Sequence, residues 1–328
     1  MRSTCLQGGV YYEPRSGRPF RFLDTEPEQG AHVTPKTDIT ERAVEVDRDA
    51  LMEVARRSLS AKPRSFLRWA GSKRALLPQI VEALPANFGV YREPFLGSGA
   101  LFFLLRPERA ALSDACSDLV QAFEAVRDDV GAVLRYLEPL KPDKETFYSV
   151  RGNRSRGRIR HAAEFIYLNK TCWNGLYRVN SDGEFNVPYG APKTEFIADP
   201  ANLRACSKAL RAPGVSLNTS HFTDALADVS PGDLVFLDPP YVTGHNNNGF
   251  IDYNEKLFSW ADQERAAECA IKAAQAGAHV IVTNAFHQAV LDLYPGFEMR
   301  PLVRHSTLAS SASARREVTE AVLWHPGS

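Results

Sequence analysis

From residue 66 onward, short apolar runs alternate with longer stretches in which apolar residues recur every three or four positions. The runs predict strands at 90–95 (VYREPF), 109–114 (RAALSD), 216–222 (SLNTSHF), 233–239 (DLVFLDP), 279–284 (HVIVTN), 298–303 (EMRPLV) and 317–324 (EVTEAVLW). The periodic stretches predict helices at 73–83, 117–137, 158–169 and 261–276. Apolar strands separated by helices indicate an α/β fold whose sheet is covered on both faces. The last two strands leave no room for a helix between them, so they should form a terminal antiparallel hairpin on a mostly parallel sheet.

Two regions break this alternation. Residues 1–60 are rich in turn formers (QGG, EPRSGRP, TEPEQG). They read as a flexible N-terminal extension ending in a helix over 37–59, on which Ile39, Val44, Val46, Leu51, Val54 and Ala55 are the apolar positions. The second region, 139–204, is rich in Arg, Asn, Gly and Tyr and reads as an inserted module that divides the main domain into 61–138 and 205–328. Its SDG at 181–183 predicts a β-hairpin or loop.

Composition narrows the function classes. The 328 residues are 44% hydrophobic, enough for a large core. Lys+Arg and Asp+Glu are both 39, which argues against a polycation but not against a local basic groove. Residues 61–190 carry 19 basic and 14 acidic side chains against 7 and 9 in 241–328, so an anion should be met in the middle of the chain. There is no run of 18 apolar residues and no apolar leader, so no membrane association is expected and the cytoplasm is the default compartment. Cys5, Cys116, Cys172, Cys206 and Cys269 are odd in number and scattered, which predicts neither a disulfide framework nor a metal cluster.

Five segments could carry chemistry. In EPFLGSG (93–99) a strand ends and turns through Gly97 and Gly99, where a ligand can approach the backbone. Asp114 ends the next strand, where an acid can either bind ribose hydroxyls or cap the following helix. DLVFLDPPYV (233–242) runs a buried strand into Asp238, Pro239, Pro240 and Tyr241. The prolines stop the strand, and a carboxylate, a carbonyl and an aromatic face remain together, a set suited to a planar amino group. NKTCWNGLYRVNSDGEFNVPYG (169–190) mixes amides, glycines, aromatics and Arg178, good material for contacting nucleic acid. Upstream, RGNRSRGRIR (151–160) is either a phosphate-binding stretch or a solvated helix face. FLRWAGSKRALLPQI (66–80) places Arg68, Lys73 and Arg74 around the start of a helix.

Together, in this order, these segments resemble the Dam-type DNA adenine methyltransferases, over about residues 66–324. The resemblance implies a Rossmann-like methyltransferase sheet with an inserted, mainly helical target-recognition domain. It implies S-adenosylmethionine as cofactor, held by Trp69, Lys73, Glu93, Phe95, Gly97, Gly99, Asp114, Phe222 and Asp238, with Phe222 in the strand beside Tyr241. Asp238 to Tyr241 would form the catalytic set, with Tyr241 stacked on a flipped adenine. Arg68, Trp173, Asn174, Leu176, Arg178 and Pro188 match positions that contact double-stranded DNA, and Leu176, Arg178 and Pro188 match members that read GATC. A monomer is implied, and a cognate restriction endonuclease acting on the same site is left open. Ser72 stands where glycine is usual and Cys116 where asparagine is common. Two other readings compete: a cytosine amino-methyltransferase, disfavoured by the recognition segment, and a non-catalytic DNA-binding protein, disfavoured by the intact Asp238 to Tyr241.

Overall fold

The computed structural model describes residues 43–56, 62–193, 196–242, 258–305 and 317–327, all within one compact unit, Glu41–Ser328. In chain order the strands are β1 (Val44–Glu45), β2 (Asn87–Phe88), β3 (Tyr91–Glu93), β4 (Arg109–Asp114), β5 (Gly214–Thr219), β6 (Leu234–Leu237), β7 (His279–Ala285), β8 (Glu298–His305) and β9 (Glu317–His325). Seven of them form one sheet in the order β5-β4-β3-β6-β7-β9-β8. The pairs among β5, β4, β3, β6 and β7 are parallel, whereas β9 runs antiparallel to both β7 and β8. The expected Rossmann-like sheet with its terminal antiparallel hairpin is therefore present. All four residues of β6 are buried, as an unbroken apolar run requires.

From β3 the chain builds outward through β4 and β5, then returns to place β6 and β7 on the other side. The order reverses between β3 and β6, and the crevice outside the carboxyl ends of such strands is where open α/β sheets bind ligands.

The helices differ from expectation where a local signal outweighs periodicity. Residues 73–81 are a 3₁₀ turn, Lys73–Leu76, followed by α2 (Leu77–Val81), because Pro78 is tolerated only in the first turn of a new helix. Ala100–Leu105 (α3) is an additional helix that the sequence pattern did not reveal. α4 spans Ser117–Leu137 as expected, broken by a non-helical Asp129 whose side chain accepts from Ala132 N at 2.8 Å. The strand expected at 216–222 stops at Thr219, and Phe222 opens the short helix α8 (Phe222–Ala225), with His221 accepting from Thr223 N.

The residues expected as an insert hold α5 (Lys144–Gly152), α6 (Arg158–Thr171) and the start of α7 (Pro200–Leu210), which runs past the expected boundary at 204; Asp143 caps α5 and Asp199 caps α7. α6 lies along α4 and buries Phe165, Ile166, Tyr167 and Leu168 in succession, so the insert and the sheet share one apolar core. The expected hairpin is reduced to two antiparallel bridges, Val179↔Phe185 and Cys172↔Tyr189, around the turn at 180–184.

Part of the expected extension packs on this core. Residues 1–42 and 57–61 lie outside the described residues, but Val44 pairs with Phe88 in β1–β2 rather than lying on a helix. The helix α1 (Arg48–Arg56) buries Ala55 against α2, and the Arg48 guanidinium donates to Leu84 O. Removing residues 1–42 is expected to leave methyl transfer in vitro unchanged. Extending the deletion to residue 56 strips Leu51, Met52, Val54 and Ala55 from the core and should cost ~3 kcal/mol or more, at about 1.5–3 kcal/mol per buried apolar side chain. Equal urea midpoints for the two truncations would contradict this assignment.

Candidate active site

Three neighbouring strands deliver acids to the carboxyl edge of the sheet: Asp114 from β4, Glu93 from β3, and Asp238 immediately after β6. Asp238 keeps 17% of its side chain exposed and forms an ion pair with Lys73, Nζ to Oδ1 2.6 Å. Thr283, on β7, donates to the same oxygen at 2.8 Å. Lys73 is 4% exposed, donates to Gly71 O at 2.7 Å and lies 4.8 Å above the Tyr241 ring. Its Nζ is also 3.6 Å from Glu320 Oε2, and that oxygen accepts from the Tyr241 hydroxyl at 2.7 Å. Pro239 is buried and Pro240 exposed. Burial raises the Asp238 carboxyl above its ordinary range, and the Lys73 charge and the Lys73 and Thr283 hydrogen bonds oppose that shift.

Glu93 is 2% exposed and accepts from the Tyr91 hydroxyl at 2.9 Å. Burial pushes its carboxyl well above the usual range against that hydrogen bond, and the Asp238 and Asp114 charges add to the rise. The folded chain therefore keeps a proton that the unfolded chain loses above about pH 4.3. The stability this proton contributes is complete below that value and is lost as pH rises. Glu93→Gln keeps an acceptor for Tyr91 and is independent of pH, so its melting temperature relative to wild type should rise between pH 5 and pH 8. A difference that stays flat across that range would show Glu93 ionised in the fold.

Asp114 ties two loops together: Oδ2 accepts from Gly97 N at 3.0 Å and Oδ1 from Cys116 N at 2.9 Å. The residue at the N-cap of α4 is Cys116, so Asp114 does not cap that helix. The Ala115 amide also acts on this carboxylate, which leaves part of its acceptor capacity for a hydroxyl. Gly97 has φ 46°, and a Cβ there would lie 2.9 Å from Trp69 Cδ1, so the loop can approach the indole only without a side chain. Trp69 stacks on Tyr177 with ring centroids 5.8 Å apart. Gly99, φ 61°, caps α3. Phe95 stacks on Phe222 at 5.2 Å, and Phe258 closes on both. Seven of the nine expected cofactor residues fall into three groups, Trp69 with Gly97 and Asp114, Phe95 with Phe222, and Lys73 with Asp238, whereas Glu93 is buried against Tyr91 and Gly99 caps α3.

The expected DNA-contacting residues cluster on the turn after α6 and on the segment carrying Arg68. Asn169, 2% exposed, grips the Arg68 backbone from both sides: Arg68 N donates to Oδ1 at 2.8 Å, and Nδ2 donates to Arg68 O at 2.7 Å and to Gly175 O at 3.2 Å. Trp173 is 46% exposed, and its backbone N donates to Pro188 O at 2.9 Å. Asn174 adopts a left-handed conformation, φ 52°, and Leu176 is half-buried. Arg178 is exposed and donates from Nε to Asn186 Oδ1 at 2.7 Å.

The arginines of 151–160 are largely engaged within the protein. Arg151 donates to Val187 O, Arg154 and Arg160 pair with Glu164, and Arg158 pairs with Asp128. Sequence reasoning did not single out Asn169, Asn186, Thr283 or Glu320 as site residues. Their signal lies in contacts between distant positions.

The family model for D12 class N6 adenine-specific DNA methyltransferases matches residues 69–307, which include every one of these acids except Glu320. The chain belongs to this family. The adenine-specific DNA methyltransferase of this family is 34% identical over 283 residues to the type II methyltransferase M.MjaIII of Methanocaldococcus jannaschii, covering 79% of this chain and 96% of that one. It is 31% identical over 272 residues to the type II methyltransferase M1.LlaDCHI of Lactococcus lactis subsp. cremoris, covering 80% and 96%. Against the DNA adenine methylase of Escherichia coli K12 the identity is 29% over 273 residues, covering 81% and 97%. The enzyme therefore takes a methyl group from a donor and DNA as its substrate. Among the described residues no helix is long and apolar enough to cross a membrane.

Proposed function

We propose that the enzyme transfers the methyl group of S-adenosylmethionine to the exocyclic amine of a flipped adenine in double-stranded DNA, at GATC or a one-base relative, acting as a cytoplasmic monomer. The observation that carries this reading is the Asp238 carboxylate, partly open at the edge of the sheet, backed by Thr283 and followed by two prolines and Tyr241. The cofactor fits the neighbouring groups. Asp114 has lone pairs left for ribose hydroxyls, the Trp69 indole lies against the Gly97 turn, and Phe95 and Phe222 give an apolar wall. Bound there, the sulfonium supplies an electrophilic methyl group.

The adenine amine is a weak nucleophile because its lone pair is delocalised into the ring. As the N–C bond forms, the nitrogen becomes pyramidal and positive. Asp238 and the Pro239 carbonyl accept its N–H donors, direct the lone pair and stabilise the growing charge. The methyl–sulfur bond breaks as the N–C bond forms, with the neutral thioether S-adenosylhomocysteine as leaving group, and the surplus proton passes to water after transfer. Tyr241 offers its ring to the extruded base, and the 139–204 module reads the duplex. A cognate restriction endonuclease acting on the same site would fit beside this activity.

The test is expression in a methylation-deficient host followed by single-molecule methylome sequencing. N6-methyladenine at a single short motif is expected. Methylated cytosine amines, or unmodified DNA alongside a well-folded enzyme that binds the cofactor, would defeat the reading.

A further inference from the structure

Lys73, Asp238, Glu320 and Tyr241 form a buried cluster in which one ammonium faces two carboxylates. Asp238 is the group proposed above to hold the target amine, and the inference rests on that reading. During transfer the amine nitrogen becomes cationic beside Asp238. With Lys73 at 2.6 Å from the same carboxylate, two cations would share one anion. Two like charges on one carboxylate repel each other more strongly at the reduced dielectric of a protein site than in water, which opposes the reaction.

The structure holds an alternative partner for the ammonium. Glu320 Oε2 is 3.6 Å from Lys73 Nζ, only 1.0 Å further than Asp238 Oδ1 (3.6 against 2.6 Å). Glu320 is 1% exposed and sits on β9, whose backbone is paired on both sides, to Ala285 of β7 and to Leu302 of β8. Its backbone is thereby fixed and its Oε2 is held by the Tyr241 hydroxyl, whereas a lysine has a flexible four-carbon stem and rotatable donors. Before the base enters, the three charged groups sum to −1, the balance needed to receive one new positive charge.

We propose that Lys73 passes from Asp238 to Glu320 when the target adenine enters, and that Glu320 is the positioning residue that permits this exchange. Lys73 then acts as a placeholder on Asp238 in the free enzyme and leaves the carboxylate to the amine in the complex. The Tyr241 hydroxyl, already on Glu320, links the exchange to the ring that receives the base.

The test uses the full-length enzyme, saturating S-adenosylmethionine and a duplex carrying 2-aminopurine at the adenine identified by methylome sequencing. Single-turnover methyl transfer is read on the parent duplex and base extrusion by fluorescence. Glu320→Gln retains an acceptor for Tyr241 but no charge to draw Lys73 away. It should slow transfer by about tenfold or more and lower the extrusion signal, with the cofactor Michaelis constant nearly unchanged. Lys73→Met in the same chain should reverse the extrusion defect, giving a double variant that matches Lys73→Met alone. Should Glu320→Gln melt early, Glu320→Asp keeps the charge, and its rate should lie between wild type and Glu320→Gln, measured below the melting transition. Normal extrusion in Glu320→Gln, or defects that multiply in the double variant, would overturn the exchange. Wild-type turnover in Asp238→Ala would instead overturn the reading of the site itself.

Discussion

Asp238→Ala is expected to slow single-turnover methyl transfer by roughly 10²–10³-fold, about 2.7–4 kcal/mol, the cost typical of removing one preorganised partner of a charge that develops in the transition state. The substitution deletes the acceptor proposed to hold the amine and to stabilise its positive nitrogen. The fold should survive, because Lys73 retains Gly71 O at 2.7 Å and Glu320 at 3.6 Å, and so is not left as an uncompensated buried charge. Removing a buried carboxylate also removes its desolvation cost. Asp238→Asn keeps one acceptor oxygen without its charge and should fall between alanine and wild type. Rates are read by quenched-flow transfer of tritiated methyl groups, and stability by thermal melting. Turnover near wild type in Asp238→Ala would remove Asp238 from the chemistry, whereas a collapsed melting curve would assign it to the fold.

The sheet was legible because burial and sequence agree there. LVFL of β6 is buried at all four positions, and α4 follows its apolar period on both sides of the break at Asp129. α3 was not legible: five of the six residues in ALFFLL are buried, so no polar face reveals its period. Phe222 misled in another way. SLNTSHF reads as one strand, but His221 caps a helical turn and the strand ends before it. In 37–59 the apolar residues suit a helix, yet Val44 meets Phe88 across a two-residue ladder, a pairing that local sequence cannot encode.

The site divides along the same line. Asp238, Asp114 and Glu93 stand at strand ends, where sequence order alone places them near a ligand crevice. Glu320 shares its face of EVTEAVLW with Val318, Val322 and Trp324, so alternation puts a lone acid in an apolar phase without showing what it meets. It is buried because β9 is threaded between β7 and β8, a feature of topology. Asn169 opens the recognition segment in sequence but acts on Arg68, 101 residues earlier. That grip joins the loop proposed to meet DNA to the loop beside the proposed cofactor groups, and a Cβ on Gly175 would lie 2.5 Å from Arg68 Cβ at the same junction. Such side-chain-to-backbone contacts carry no periodic signature.

Arg178→Ala is expected to cost roughly 1–3 kcal/mol in discrimination at one guanine of the target, with a smaller effect on binding to unrelated DNA. The arginine leaves the bridged turn at Val179↔Phe185, and Asn186 Oδ1 takes its Nε hydrogen at 2.7 Å while Asn186 N donates to Arg178 O at 3.0 Å. With Nε held, a two-pronged grip on guanine O6 and N7 falls to the two terminal nitrogens, and the planar fork is oriented before DNA arrives. Lysine in its place offers a point charge without that plane, so Arg178→Lys should restore affinity more than discrimination. Asn186→Ala removes the orienting acceptor and should relax the same base position to a lesser degree. Leu176 and Pro188 lie on the same segment and offer apolar contact to a thymine methyl, which is why the expected site combines guanine with thymine next to the target adenine. Methylome sequencing of each variant in a methylation-deficient host reads all three outcomes as the ratio of methylated cognate to one-base-changed sites. A ratio unchanged in Arg178→Ala, with total methylation merely reduced, would make Arg178 a phosphate contact and withdraw GATC as the expected site.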